Sequence, residues 1–118
     1  MADTGSLQGD FDPFEQHLVA GSELLRQSRI KDAQHQLLQA LELQPSNAKV
    51  LALLGLAFFR GGQFADAAPI YKALTLQTPG DASYRLNLGL VHLKLGDAEG
   101  AIAELEAVSY THLTLPTN

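Results

Sequence analysis

Four histidines are the side chains of this sequence best suited to bind a metal or to act as a general base. His17, His35, His92 and His112 are scattered along the chain. None lies four residues from another histidine in the His-Glu-x-x-His pattern that places two ligands on one helix face. The histidines therefore predict neither a metal site nor a catalytic base.

Other residues that could support catalysis are equally poorly placed. Glu104 and Glu106 are two residues apart and point to different faces of a helix, so they form no acid–base pair. Gly61-Gly62 follows no strand and is better interpreted as a turn that ends a helix than as a phosphate loop. With no cysteine, the chain has no disulfide, thiolate nucleophile or zinc knuckle. We expect no enzyme activity, no cofactor and no metal.

Composition and net charge restrict the kinds of partner that this chain can bind. The chain has 118 residues, room for one small domain, and 46% of them are hydrophobic, enough for a folded core. A net charge of −5 is the wrong sign for binding phosphates, so no nucleic acid is expected. The longest apolar stretch, Val50–Phe59, is about half of the ~20 residues that span a bilayer. No basic segment precedes a signal-like core, so we expect no membrane association and a cytoplasmic location.

The sequence repeats at an interval of 34 residues. Large residues at Leu37, Tyr71 and Leu105 keep this interval. Small residues and prolines do so as well: Gly21, Gly55 and Gly89; Ala33, Ala67 and Ala101; Pro45 and Pro79. Separate columns of small and large residues indicate repeated helix-packing units.

Local signals predict two helices in each interval. Asp12 and Glu15 resemble a capping box around a first helix that starts at Pro13. Each first helix ends at a residue suited to a left-handed turn, and Ser28 is the least suitable of the three. The other two turns are Gly61-Gly62 and Gly96. Second helices are predicted at about 30–43, 63–77 and from 97 onward, which gives an all-α chain of about six helices.

These columns resemble the tetratricopeptide repeat, a helix-turn-helix unit of 34 residues. The resemblance implies an α-solenoid with units at about 14–47, 48–81 and an incomplete 82–107. The acidic composition of residues 1–12 predicts a disordered arm before the first unit. The middle unit carries the motif most fully, at Leu54-Gly55, Phe58, Ala67, Tyr71 and Pro79.

The helical pattern stops at Val108. The last residues, Val108–Asn118, are rich in β-branched residues and interrupt an amphipathic helix. A DNA sequence encoding Val108–Thr117 resembles a transposon-end adapter used for sequencing libraries. We therefore expect 108–118 to be a non-native tail and the natural protein to be longer, so that the third unit is uncapped and could self-associate.

The family resemblance also implies a function. In this family the first helices line a concave groove that holds a peptide or a partner helix, and the corresponding positions here are mainly apolar. Some relatives bind a carboxylate with a clamp of polar side chains in this groove. The clamp is largely missing here, because Asn87 is the only residue at the clamp positions that has an amide side chain. The groove residues implied are Leu18, Ser22, Leu25, Arg26, Ala52, Leu56, Phe59, Arg60, Leu86, Asn87, Leu90, Leu93 and Lys94.

Three interpretations of the groove remain open. It could bind a protein or peptide partner, it could be the docking or regulatory segment of a longer enzyme or signalling protein, or it could be filled by further repeats of the same chain. Arg26, Arg60 and Lys94 recur at the 34-residue interval. These cations fit a role in stabilising helix ends better than a role in binding an acidic ligand, which stays the alternative.

Overall fold

The computed structural model describes the backbone of residues 12–113 and the side chains of residues 12–107. Apart from Asp12, the predicted acidic arm lies outside the described residues, as do the side chains of the predicted tail.

The residues described form six helices and no strand, which confirms the all-α prediction. The last helix continues to Leu113, so the break in sequence pattern at Val108 does not coincide with a helix end. The helices are α1 Pro13–Arg26, α2 Ile30–Leu43, α3 Ala48–Arg60, α4 Phe64–Gln77, α5 Ala82–Lys94 and α6 Ala98–Leu113.

Acidic or amide side chains cap the N-terminus of each first helix. The Oδ1 atom of Asp12 accepts a hydrogen bond of 2.8 Å from the amide of Glu15. Asn47 caps α3 and Asp81 caps α5 in the same manner. Such a cap satisfies an amide that has no partner inside the helix, and it contributes about 1 kcal/mol. The predicted start of α1 is confirmed, with Pro13 as its first residue.

Left-handed residues separate the two helices of each pair. The φ angles are 63° at Ser28, 75° at Gly62 and 82° at Gly96. Two of the three are glycine, which adopts this conformation without a Cβ clash. The predicted turns are confirmed. Ser28 is the one residue of the three that carries a side chain in this left-handed conformation.

The glycine column allows the two helices of a pair to pack closely. A Cβ atom added at Gly21 would lie 2.6 Å from Cγ of Leu37, and one added at Gly89 would lie 2.9 Å from Cγ of Leu105. The small and large columns of the sequence are therefore in direct contact across each helix pair, as interdigitated helix packing requires.

The three helix pairs, α1–α2, α3–α4 and α5–α6, pack one after another into an elongated stack. One hydrophobic core runs through the stack, and fully buried side chains such as Leu37, Leu54 and Leu74 come from successive helices. This is the architecture of an α-solenoid.

Candidate functional site

Nine of the thirteen predicted groove residues occupy three repeated positions on the first helices. Ser22, Leu56 and Leu90 hold the middle position, and Leu56 is the most exposed of these. The outer positions hold Leu18, Ala52 and Leu86 on one side and Leu25, Phe59 and Leu93 on the other.

Exposure at the outer positions rises along the chain. Leu18 and Leu25 are only 5% and 4% exposed, because α1 lies against α3 as well as against α2. Leu86 and Leu93, at the same positions of α5, are 42% and 51% exposed. We expected all four to face a ligand, but Leu18 and Leu25 belong to the hydrophobic core and offer a ligand almost no surface.

The remaining positions apart from the three cations, most of them apolar, define what we call the groove surface. It consists of exposed leucines on α3 and α5 with half-buried neighbours between them, and it is centred on Leu56. Its members are Ser22, Ala52, Leu56, Phe59, Leu86, Asn87, Leu90 and Leu93.

An aromatic pair adjoins the groove surface between α3 and α4. The ring centroids of Phe59 and Phe64 are 5.2 Å apart, with an interplanar angle of 80°. The Lys94 ammonium lies 6.0 Å from the centroid of the Phe64 ring, at the outer limit of a cation–π contact. Sequence reasoning missed Phe64, although it is the only aromatic residue at the start of a second helix, where Ile30 and Ala98 stand in the other pairs.

The repeated cations have different partners. Arg26 forms an ion pair with Glu23 one turn earlier. The hydrogen bond between the two side chains lowers the pKa of Glu23 and raises the pKa of Arg26. Arg60 donates hydrogen bonds of 3.2 Å to the carbonyl oxygen of Leu25 and 3.1 Å to Oγ of Ser28. Arg60 therefore satisfies the C-terminal end of α1, the helix of the preceding pair, where the helix dipole favours a cation.

Polar side chains also fix neighbouring helix pairs. Nε2 of the buried Gln34 donates a hydrogen bond of 3.1 Å to the carbonyl oxygen of Ala57. Nε2 of Gln77 donates one of 3.1 Å to the carbonyl oxygen of Ser46. Because an unsatisfied buried amide is costly, the first bond favours one relative placement of α2 and α3.

The three histidines with described side chains contact polar side chains within their own helix pair. Nδ1 of His17 lies 2.8 Å from Oε1 of Gln36, and Nδ1 of His92 lies 3.2 Å from Oδ2 of Asp97. His35 pairs with Gln39 on the surface of α2. The side chain of His112 lies outside the described residues. Among the side chains described, no group of three or more His, Cys, Asp or Glu residues is arranged to hold a metal ion.

The sequence profile of the tetratricopeptide repeat matches residues 18–82 and, in a second overlapping position, residues 54–110. The chain belongs to the tetratricopeptide-repeat family. No curated protein sequence matches it significantly. Within residues 12–113, none of the helices has the length and apolar character needed to cross a membrane.

Solved structures share this repeat fold. MamA residues 41 to end from Desulfovibrio magneticus is 21% identical with a TM-score of 0.78, over 88% of this chain and 59% of that one. PcrH, known from Pseudomonas aeruginosa, in complex with the chaperone-binding region of PopD is 22% identical with a TM-score of 0.75, over 86% and 77%. The Yersinia enterocolitica translocator chaperone SycD is 16% identical with a TM-score of 0.74, over 87% and 78%. The tetratricopeptide-repeat chain thus spans little more than half the length of the MamA chains.

Proposed function

We propose that this tetratricopeptide-repeat chain is a protein-interaction module that binds an apolar peptide or helical segment on the groove surface. It has no catalysis of its own, and it acts as a scaffold in the cytoplasm on protein partners rather than on nucleic acid. The net charge of −5 and the lack of cysteine agree with that assignment.

The exposure of Leu56 carries the proposal. Its helix α3 is the first helix of the middle pair, with neighbouring helix pairs on both sides. Leu56 is nevertheless 41% exposed, so its exposure is not an effect of lying at one end of the stack. An exposed leucine that neighbouring pairs do not cover offers apolar area to a ligand, at roughly 25 cal/mol for each Å² that binding buries.

The structural neighbours agree with a peptide ligand. PcrH has been solved with the chaperone-binding regions of PopD and PopB, so a chain of this fold accommodates a segment of another protein. The ligand expected here is more apolar than charged, because Arg26 and Arg60 already have partners within the chain.

The test compares two leucines of different position. A peptide library displayed on phage is selected on the full chain, and the enriched peptides are measured by fluorescence polarisation against Leu56→Gln and Leu76→Gln. Leu76, on α4, is 74% exposed and lies outside the groove surface. We expect Leu56→Gln to weaken binding about ten-fold or more and Leu76→Gln to leave it unchanged. Equal binding by both variants would place the ligand elsewhere and refute the proposal.

A further inference from the structure

The three cations that recur at the 34-residue interval differ in whether the chain itself supplies their partners. Arg26 pairs with Glu23, and Arg60 donates hydrogen bonds to the C-terminal end of α1. Within residues 12–107, the ammonium of Lys94 has no hydrogen-bonded or ion-paired partner, and it lies 6.0 Å from the centroid of the Phe64 ring. This contact leaves the three N–H donors of the ammonium available to a ligand.

The sequence explains why Lys94 differs from Arg60. Arg60 binds Oγ of Ser28, whereas the residue at the corresponding position of the next turn is Gly62, which has no side chain. Arginine also reaches two acceptors at once through its planar guanidinium, which lysine lacks. The third cation therefore keeps the charge of the second but not the acceptors that satisfy it.

The free ammonium of Lys94 does not result from the lack of a further helix pair after α6. Arg60 belongs to the middle pair, and it bonds to the pair before it although another pair follows. Lys94 likewise lies on the side of the preceding pair, where it approaches Phe64 of α4. By the same register, a pair that followed α6 would not lie on this side of Lys94.

The acidic side chains closest in sequence to this contact have other partners. Oδ2 of Asp66 accepts a hydrogen bond of 3.4 Å from Nε2 of Gln63. Asp97 accepts one of 2.9 Å from the amide of Gly100, and its other carboxylate oxygen lies 3.2 Å from Nδ1 of His92. The described part of the chain thus supplies no carboxylate to Lys94.

Lys94 lies beside the apolar surface that we assign to the ligand. Phe64, which its ammonium approaches, is in edge-to-face contact with Phe59, a member of the groove surface. A peptide that places an apolar side chain on Phe59 therefore brings its neighbouring residues close to the ammonium. The opposite charge that complements an ammonium there is a carboxylate.

We propose that Lys94 is a specificity-determining residue of the groove surface. Among apolar segments, it favours those with an aspartate or glutamate within about four residues of the apolar side chain that contacts Phe59. This inference rests on the proposed function, in which Leu56 supplies apolar affinity, and it adds the charge that the ligand carries.

Parallel selections reveal the preference without a known ligand. A phage-displayed peptide library is selected on the full chain, on Lys94→Gln and on Lys72→Gln. Lys72 is exposed on α4, outside the groove surface, so its variant has the same net charge as Lys94→Gln. We expect an acidic residue at a fixed spacing from the apolar residues in peptides enriched on the full chain and on Lys72→Gln. That residue should be lost from the peptides enriched on Lys94→Gln.

A charge-exchange cycle tests direct pairing. An enriched peptide with an amidated C-terminus is measured by fluorescence polarisation, as is its form with glutamine in place of the acidic residue. Lys94→Gln should weaken binding of the acidic peptide about three- to five-fold, the effect of an exposed ion pair, and leave binding of the glutamine form unchanged. Lys94→Glu should weaken it further, and a lysine in place of the peptide's acidic residue should restore binding to Lys94→Glu.

Three outcomes would overturn the proposal: no acidic preference, equal effects of Lys94→Gln and Lys72→Gln, or equal losses for the acidic and glutamine peptides. A Lys94→Gln variant that loses thermal stability by circular dichroism but keeps the peptide preference would limit Lys94 to the end of α5. Loss of binding in Leu56→Gln without an effect of Lys94→Gln would leave the proposed function intact. An effect of Lys94→Gln without one of Leu56→Gln would overturn the proposed function instead.

Discussion

The backbone of Gly55 in α3 lies against the ring of Tyr71 in α4, so close that a Cβ on Gly55 would be 3.0 Å from Cζ of the tyrosine. This contact buries Tyr71 between helices, and burial, with a smaller effect of Tyr84, raises the pKa of its phenol to about 12. The raised pKa means that the folded chain keeps Tyr71 neutral at a pH where the unfolded chain has begun to ionise it.

Alkaline pH should therefore destabilise the fold. Because the folded pKa lies above the unfolded value near 10, the contribution of Tyr71 is fully present below pH 10 and decreases as the pH rises toward 12. Urea unfolding at pH 8 to 11.5 measures this decrease. In Tyr71→Phe the free energy of unfolding should depend less on pH above 10. An identical slope in both proteins would show that other groups cause the loss.

Gly21→Ala should destabilise the chain by up to about 2 kcal/mol. Alanine gains about 1 kcal/mol in helix propensity, but its Cβ would lie 2.6 Å from the branched Cγ of Leu37, an overlap that costs about 1–3 kcal/mol. Gly55→Ala should lose less stability than Gly21→Ala, because the nearest atom to its added Cβ, Cζ of Tyr71, would be 3.0 Å away. Thermal denaturation followed by circular dichroism ranks the two variants. A higher Tm for Gly21→Ala would mean that the helices separate easily.

Ser28→Gly should stabilise the chain by about 0.5–1 kcal/mol. The φ angle of 63° costs serine about 1–2 kcal/mol, which exceeds the entropy that glycine loses on folding and the exposed hydrogen bond from Arg60. Gly62→Ser is the reverse substitution at an equivalent turn, where a Cβ would meet no atom within 4 Å. Chemical denaturation should show a loss of similar size there. If Ser28→Gly and Gly62→Ser changed the free energy of unfolding in the same direction, backbone strain would be excluded as the cause.

Packing residues and surface residues should respond differently to substitution. Ala67 is fully buried, so Ala67→Leu should overpack the second helix pair and cost about 1–3 kcal/mol. Leu56→Gln should change the free energy of unfolding by less than about 0.5 kcal/mol, because its side chain is already in contact with water. Denaturant midpoints of both variants test this contrast. A large loss in Leu56→Gln would make the groove surface part of the core.

The sequence alone determined the local structure and the contacts within each helix pair. Asp12, Asn47 and Asp81 cap helices through atoms two or three residues away, and the turn at Gly62 depends on one backbone angle. The contact of Gly55 with Tyr71 was equally readable, since a fixed repeat interval keeps a small and a large residue in register within one pair.

Only the tertiary structure decided which of the repeated positions are surface. Leu18 and Leu86 have the same residue type and register, yet the first is buried beneath α3 and the second is exposed on α5. The partner of Arg60, a carbonyl oxygen 35 residues earlier, was hidden for the same reason. Periodicity specifies how a unit folds upon itself, whereas burial and hydrogen bonding between units depend on which neighbours are present on each side, and the stack has different neighbours at its middle and at its two ends.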